Sequence, residues 1–311
     1  MADFKNEFSW SFSRGRLFDQ CLRKYYYCYY GSWNGWREEG PEFARLCYRL
    51  KQIVGFPAWA GDIVHRTLEW AIQGWMRGVS RDAADMHKHA RGLLNAEWMQ
   101  SSKREWLRHP KKYRNLFEHY YNRNVSAEDR AALREKVFRC INNFFDMGYG
   151  ARLRALPKEA WISVEQLDSF EIGDTKVWAV IDCAFREGGE TFLLDWKTGA
   201  DLAEDAPTDQ LICYAAFAQA RWGSDLEKTR AALVNLAAGA AAEHCVTAEQ
   251  VIDFREKVFQ SVMAMKSRLD DPQANRAEES AFPRAKDKSL CRQCEYFEAC
   301  YGDRSLVPPK D

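Results

Sequence analysis

The sequence predicts an α/β protein in which a small mixed β-sheet is flanked by helices. Three observations carry that prediction. The periodic segments run in the order helix, strands, helix, strand. The strand candidates are β-branched and aromatic runs bounded by Gly. The 311 residues, 46% hydrophobic and 29% charged, are enough to bury a substantial core. No repeat or low-complexity tract is present and the Gly and Pro residues are dispersed, so the chain reads as a single domain over 1–311.

The elements follow in order. In GDIVHRTLEWAIQGWM, residues 61–76, Ile63, Val64, Leu68, Ala71, Ile72 and Trp75 recur at helical spacing, and His65 lies within that helix. Residues 77–160 stay helix-like and rich in long polar side chains, which reads as a helical insertion; KREWLRHPKKYRN at 103–115 is its most basic stretch. WISVEQL at 161–167, KVWAVIDCAF at 176–185 and TFLLDWKT at 191–198 read as strands, the last two joined by the turn EGGE. TDQLICYAAFAQARW at 208–222 returns to helical periodicity, and AALVNLA at 231–237 reads as a further strand.

The 45 Lys and Arg residues balance the 45 Asp and Glu, which excludes a simple polycation that coats nucleic acid indiscriminately. The distribution is uneven, with 25 basic and 17 acidic side chains in 1–150, 9 and 17 in 151–250, and 11 of each in 251–311. A basic region followed by an acidic one suits a protein that holds a polyanion with one part and cations with another; ordinary solvated surface gives a similar imbalance. Charges interrupt every apolar stretch before membrane-spanning length, and MADFKNEFSW lacks the order of a secretory signal, so a cytoplasmic protein with no membrane partner is expected.

In that setting ten cysteines read as reduced thiols or metal ligands rather than disulfides. Cys28, Cys47, Cys140, Cys183, Cys213 and Cys245 are scattered among apolar or aromatic neighbours, as small buried hydrophobes are. Cys291, Cys294 and Cys300 instead form C-x2-C-x5-C, a spacing that lets one short turn present several sulfurs to one centre.

The densest chemical signal is Asp182 in AVID with Asp195 and Lys197 in LLDWKTG. Strand residues two apart share a face, so Asp195 and Lys197 project together while Trp196 turns away. Asp182, on the neighbouring strand of the hairpin, brings a second carboxylate. Two carboxylates without a thiolate are hard oxygen ligands suited to Mg2+ or Mn2+, with water and a substrate phosphate completing the shell. The alternative is a surface hairpin carrying an ordinary ion pair.

VIDCAF, LLDWKTG and DQLICYAAF, preceded by GDIVHRTLE, resemble the motifs of the PD-(D/E)XK nuclease superfamily, and within it the RecB-like branch. The resemblance implies a restriction-endonuclease-like fold. It also implies a site built from His65, Asp182, Asp195, Lys197, Gln210 and Tyr214, the last two one helical turn apart. FSRGRLFDQCLRKYYY resembles the stretch carrying the first cysteine of iron-sulfur members of that branch, including AddB-type and CRISPR-adaptation nucleases. Cys21 matches that cysteine, and Cys291, Cys294 and Cys300 match the trailing three, which implies a [4Fe-4S] cluster joining the two ends of the chain through 21 and 291–300. Zn2+ is the alternative occupant, because C-x2-C is common in structural zinc sites. The resemblance spans 9–301 and is faint between about 80 and 160. Two departures stand out: Ala179 replaces a Gly three residues before the first core Asp, and the Pro of the superfamily's name is absent.

By the same resemblance, Asp182 and Asp195 hold one or two divalent ions, assisted by His65 and the Trp196 carbonyl. Lys197 orients the attacking water, Gln210 positions Lys197, and Tyr214 contacts the nucleic-acid backbone. For a lone His65 a buried helix histidine is the alternative. Glu165 either adds a carboxylate or lines a strand edge. Arg23 and Lys24, followed by the tyrosine-rich run 25–30, and Lys111 and Lys112 are candidate DNA contacts, set against a packed core and a solvated helix face. No G-x4-GK[ST] motor loop is present, so single-stranded DNA or free ends are the expected substrate, with a helicase, recombination or CRISPR-adaptation protein as partner. The competing class is a non-catalytic nucleic-acid-binding or assembly subunit.

Overall fold

A computed structural model describes residues 5–199 and 206–308. They form two compact units. Pro57–Asn95 and Ser126–Lys257 make a sheet unit; Met1–Phe56, Ala96–Val125 and Val258–Asp311 make a cysteine unit. The segment 77–160, expected as an insertion, is mostly helical and contributes to both units through Ala83–Ser102, Ala127–Asp146 and Tyr149–Arg154.

The sheet unit contains β1 (Trp161–Ile172), β2 (Thr175–Glu187), β3 (Glu190–Lys197), β4 (Thr229–Asn235) and β5 (Ala240–Cys245), hydrogen-bonded in chain order. β1, β2 and β3 are antiparallel neighbours, β3 and β4 are parallel, and β5 returns antiparallel. The β2–β3 connection is a two-residue turn, Gly188 at φ +60 and Gly189 at φ +84, both in the left-handed region that such hairpin turns require. A parallel step cannot be made by a tight turn. The chain accordingly passes from β3 to β4 through a helix, α3 below.

The helices that frame the sheet are α1 (Phe56–Trp75), α2 (Ala127–Asp146) and α3 (Asp209–Trp222). α1 buries Ile63, Val64, Leu68, Ala71, Ile72 and Trp75, the stripe read from the sequence, and begins earlier than expected. A reciprocal capping box between Ser126 and Asp129 starts α2. Thr208 caps α3, which buries every residue from Leu211 to Ala218 and stops at Gly223 in the left-handed conformation. β3 is buried from Thr191 to Trp196, as befits a strand covered on both faces. Trp196, 1% exposed, packs edge-on against Phe144 of α2 and Tyr149, and truncating so large a buried side chain costs about 3–5 kcal/mol.

In the cysteine unit, helices Phe12–Gln20, Leu22–Tyr26 and Glu42–Leu50 and the π-helical turn Tyr27–Gly31 accompany the short helix Phe297–Tyr301. Strands Ile53–Val54 and Asn115–Leu116 pair in parallel. Tyr27, Leu50, Trp106, Phe117, Tyr121 and Tyr296 anchor its apolar core. The tyrosine run at 25–30 is largely a packing element, with Tyr25, Tyr27 and Tyr30 buried. Polar ties join the two ends of the chain. Arg23 pairs with Glu279 and donates to the Phe282 carbonyl at 2.6 Å, and Lys24 pairs with Glu295 at 2.8 Å. The Tyr27 hydroxyl, with one proton to give, lies 3.0 Å from the Glu279 carboxylate and 3.2 Å from the Ala299 carbonyl. Among the described residues no helix is long and apolar enough to cross a membrane.

Candidate active site

Strand register creates the site. The pairs Val164–Cys183 and Gln166–Ile181 set Glu165 of β1 opposite Asp182 of β2. The pair Cys183–Leu194, extended by one residue, sets Asp182 opposite Asp195 of β3. Directly opposed residues of antiparallel strands share a face, so three carboxylates form a row across three strands. Like charges so placed destabilise a sheet. The row therefore calls for cations. Glu165 also sits at φ +51, a left-handed backbone that costs a non-glycine residue on the order of 1–3 kcal/mol and is typical of functional positions.

His65 reaches this row from α1. Its Nδ1 lies 2.9 Å from Glu165 Oε1 and 3.6 Å from Asp182 Oδ1. Its Nε2 donates to the Trp196 carbonyl at 3.0 Å, an oxygen that only accepts. Both ring nitrogens thus face acceptors, the surroundings of an imidazolium. Burial opposes that charge, but Asp182 and the hydrogen bond to Glu165 outweigh it and hold the His65 pKa up at about 9. Burial raises the pKa of Asp182, against the pull of the His65 charge. Asp182 Oδ2 accepts from the Trp196 backbone N–H at 2.7 Å.

The period of β3 brings Asp195 and Lys197 together, as expected. Lys197 Nζ is 2.7 Å from Asp195 Oδ2 and donates to Gln210 Oε1 at 2.8 Å. Gln210 Nε2 donates to the Tyr214 hydroxyl at 2.8 Å, and that hydroxyl donates to Asp195 Oδ1 at 3.4 Å. The four side chains close a ring between the end of β3 and the first turns of α3. Asp195 is 1% exposed and its pKa is raised by burial, with the Lys197 charge opposing. Tyr214, 4% exposed, is an interior member of the ring rather than a surface contact.

Two supports were not read from the sequence. Asn235, wholly buried at the end of β4, donates to the Gly199 carbonyl at 3.3 Å and accepts from the Ala238 N–H at 2.9 Å, while the Leu236 N–H donates to the Lys197 carbonyl at 2.8 Å. Together they fix the chain at the end of β3. Asn235 is the one polar side chain in ALVNLAA, and that isolation was the available signal. Gly61 lets α1 approach the same segment, since a Cβ there would lie 2.9 Å from Thr198 Oγ1.

His65, Glu165 and Asp182 each offer a ligand atom within 4.8 Å of the others. An imidazole nitrogen with carboxylate oxygens fits Mg2+ or Mn2+. Asp195 stands beside this group, tied to Lys197 and Tyr214, and the Trp196 carbonyl accepts from His65.

Cys21, Cys291, Cys294 and Cys300 line a single cavity of ≈ 40 Å³ in the cysteine unit, together with Arg23, Lys24, Arg284 and Tyr301. Arg23 and Lys24, candidate DNA contacts by sequence, thus stand in ion pairs at a thiol-lined cavity. Lys111 and Lys112 are exposed, and the Lys112 ammonium lies 5.3 Å from the centre of the Tyr113 ring. Compared with known families, residues 9–301 match the model of the PD-(D/E)XK nuclease superfamily. No curated protein matches the chain.

Proposed function

Because this chain belongs to the PD-(D/E)XK nuclease superfamily, we propose that it is a divalent-metal-dependent deoxyribonuclease of the RecB-like branch, cleaving phosphodiester bonds in single-stranded DNA or at DNA ends. The observation that carries this reading is the convergence of Glu165, Asp182 and Asp195 with His65 and Lys197 on one face of the sheet.

His65, as the neutral imidazole, with Glu165, Asp182 and Asp195 would hold the ion. Bound there, a divalent cation would supply an acidified water and offset charge on the phosphate oxygens. Lys197 supplies a second positive charge beside Asp195, where it steadies the attacking water or the developing negative charge. Gln210 accepts from Lys197 and fixes the direction of its ammonium; Tyr214 fixes Gln210 in turn. The low exposure of Asp182 and Asp195 keeps these charges in a medium where electrostatic interactions act strongly.

The cysteine cavity supports a structural [4Fe-4S] cluster on Cys21, Cys291, Cys294 and Cys300. Its four thiols are the full ligand set, and its walls carry Arg23, Lys24 and Arg284, which suits an anionic cluster. Zinc bonded to sulfur at about 2.3 Å draws its ligands into a small tetrahedron. Zinc on the same four thiolates is the alternative occupant, and metal analysis separates the two. Single strands or opened ends are the preferred substrate because the sequence carries no motor loop, and a helicase or recombination partner would supply them.

The test is cleavage of labelled single- and double-stranded DNA by wild type and Lys197→Ala with Mg2+, Mn2+ or EDTA. Metal-dependent cleavage by the wild type alone supports the reading; binding without cleavage by either protein places the chain among non-catalytic subunits.

A further inference from the structure

We propose that Tyr301 donates a hydrogen bond to the sulfur of Cys291 and, together with Lys24, Arg23 and Arg284, raises the reduction potential of the iron-sulfur cluster. The inference rests on the cluster reading above and assigns these four side chains to the cofactor rather than to DNA.

The Tyr301 hydroxyl lies 3.6 Å from Cys291 Sγ. A cysteine that ligates iron is a thiolate and can only accept, whereas a phenol keeps its proton at neutral pH, so the direction of the bond is fixed. The ring is held for this purpose. It stacks on Phe297 with centroids 4.5 Å apart, and the Arg284 guanidinium lies 4.8 Å from its centre.

The cations share the cavity with the sulfurs. Lys24, Arg23 and Arg284 line it beside Cys21, Cys291, Cys294 and Cys300. Two acids face the same region: Glu295, paired with Lys24, and Glu279, paired with Arg23. Three cations against two carboxylates leave the cavity wall with surplus positive charge. An electron entering the cluster adds negative charge to its sulfurs, and a donor and cations nearby stabilise that state more than the oxidised one. Only the electron moves. It comes from a mediator dye poised by an electrode, and no bond is made or broken at the tyrosine.

The experiment uses the full chain purified anaerobically as wild type, Tyr301→Phe and Lys24→Gln. Iron and zinc content, the visible spectrum and the midpoint potential from a mediated titration followed by EPR are measured for each. Both variants are expected to retain wild-type iron content and to show more negative midpoints, with the Tyr301→Phe melting temperature unchanged. Should one of them fail to hold iron, Arg284→Gln replaces it in the same comparison. Iron-loaded variants with wild-type midpoints overturn the tuning role while leaving the cluster standing. A wild-type protein that carries zinc, or no iron, overturns the cluster reading and this inference with it.

Discussion

Asp182 and Asp195 sit on the two arms of one hairpin, whereas Cys21 and Cys291 come from opposite ends of the chain. The first pair is placed by backbone register: once Gly188 and Gly189 turn the strands, the carboxylates face one another without further help. The second pair meets only after a loop of about 270 residues has closed. By analogy with a disulfide, the proposed cluster, holding such a loop shut, would stabilise the fold by on the order of 5 kcal/mol. Side-chain ties between the same chain ends, Arg23 with Glu279 and Lys24 with Glu295, share that work. Damage to the hairpin site should therefore appear in chemistry, and damage to the cysteine site in stability.

The widest separation between the two sites is expected from metal removal and from Asp195→Ala. EDTA should abolish cleavage and leave the absorption of the proposed cluster intact, and Asp195→Ala should lower kcat by about a thousandfold or more with a near-normal melting temperature. Full metal-dependent activity in Asp195→Ala would falsify the assignment of the centre. Lys197→Ala, which removes charge support but no metal ligand, should cost roughly a hundredfold or more under the same assay. For the cysteine site, Cys294→Ser should give colourless protein whose melting temperature falls by many degrees, in line with the loop-closure figure above. A colourless variant as heat-resistant as wild type would mean that the polar ties alone keep the ends together. Smaller effects sharpen the contrast. Gln210→Ala breaks one hydrogen bond to a charged group and should reduce kcat about tenfold, with little change in KM. Arg23→Gln should leave colour and activity in place and cost about 1 kcal/mol, read from urea melts.

Much of the sheet unit was legible because its signals are local. β-Branched and aromatic runs bounded by glycine located β2 and β3, and the D-x-K spacing put Asp195 and Lys197 on one face, as their 2.7 Å separation shows. The four-residue step from Gln210 to Tyr214 likewise predicted a contact that the structure contains. Glu165 was the weakest of the candidate ligands, because nothing in WISVEQL reveals a left-handed backbone or the register that sets it opposite Asp182. β5 was not foreseen at all. AAAEHC is dominated by alanine, a poor strand former, and holds its place as the partner of β4. The division into two units was also invisible, since the cysteine unit gathers three segments far apart in the chain. Periodicity reports what lies within a dozen residues; it is silent about which distant pieces pack together.

The conformation of Glu165 sets stability and function against each other at one position. Replacing it with glycine would relax the main chain, so a directed search for heat-tolerant variants would find that substitution early. The selected protein would be hardier in storage and, if Glu165 is a ligand as proposed, poorer at retaining a divalent ion, a trade-off that a melting curve alone would record as an improvement.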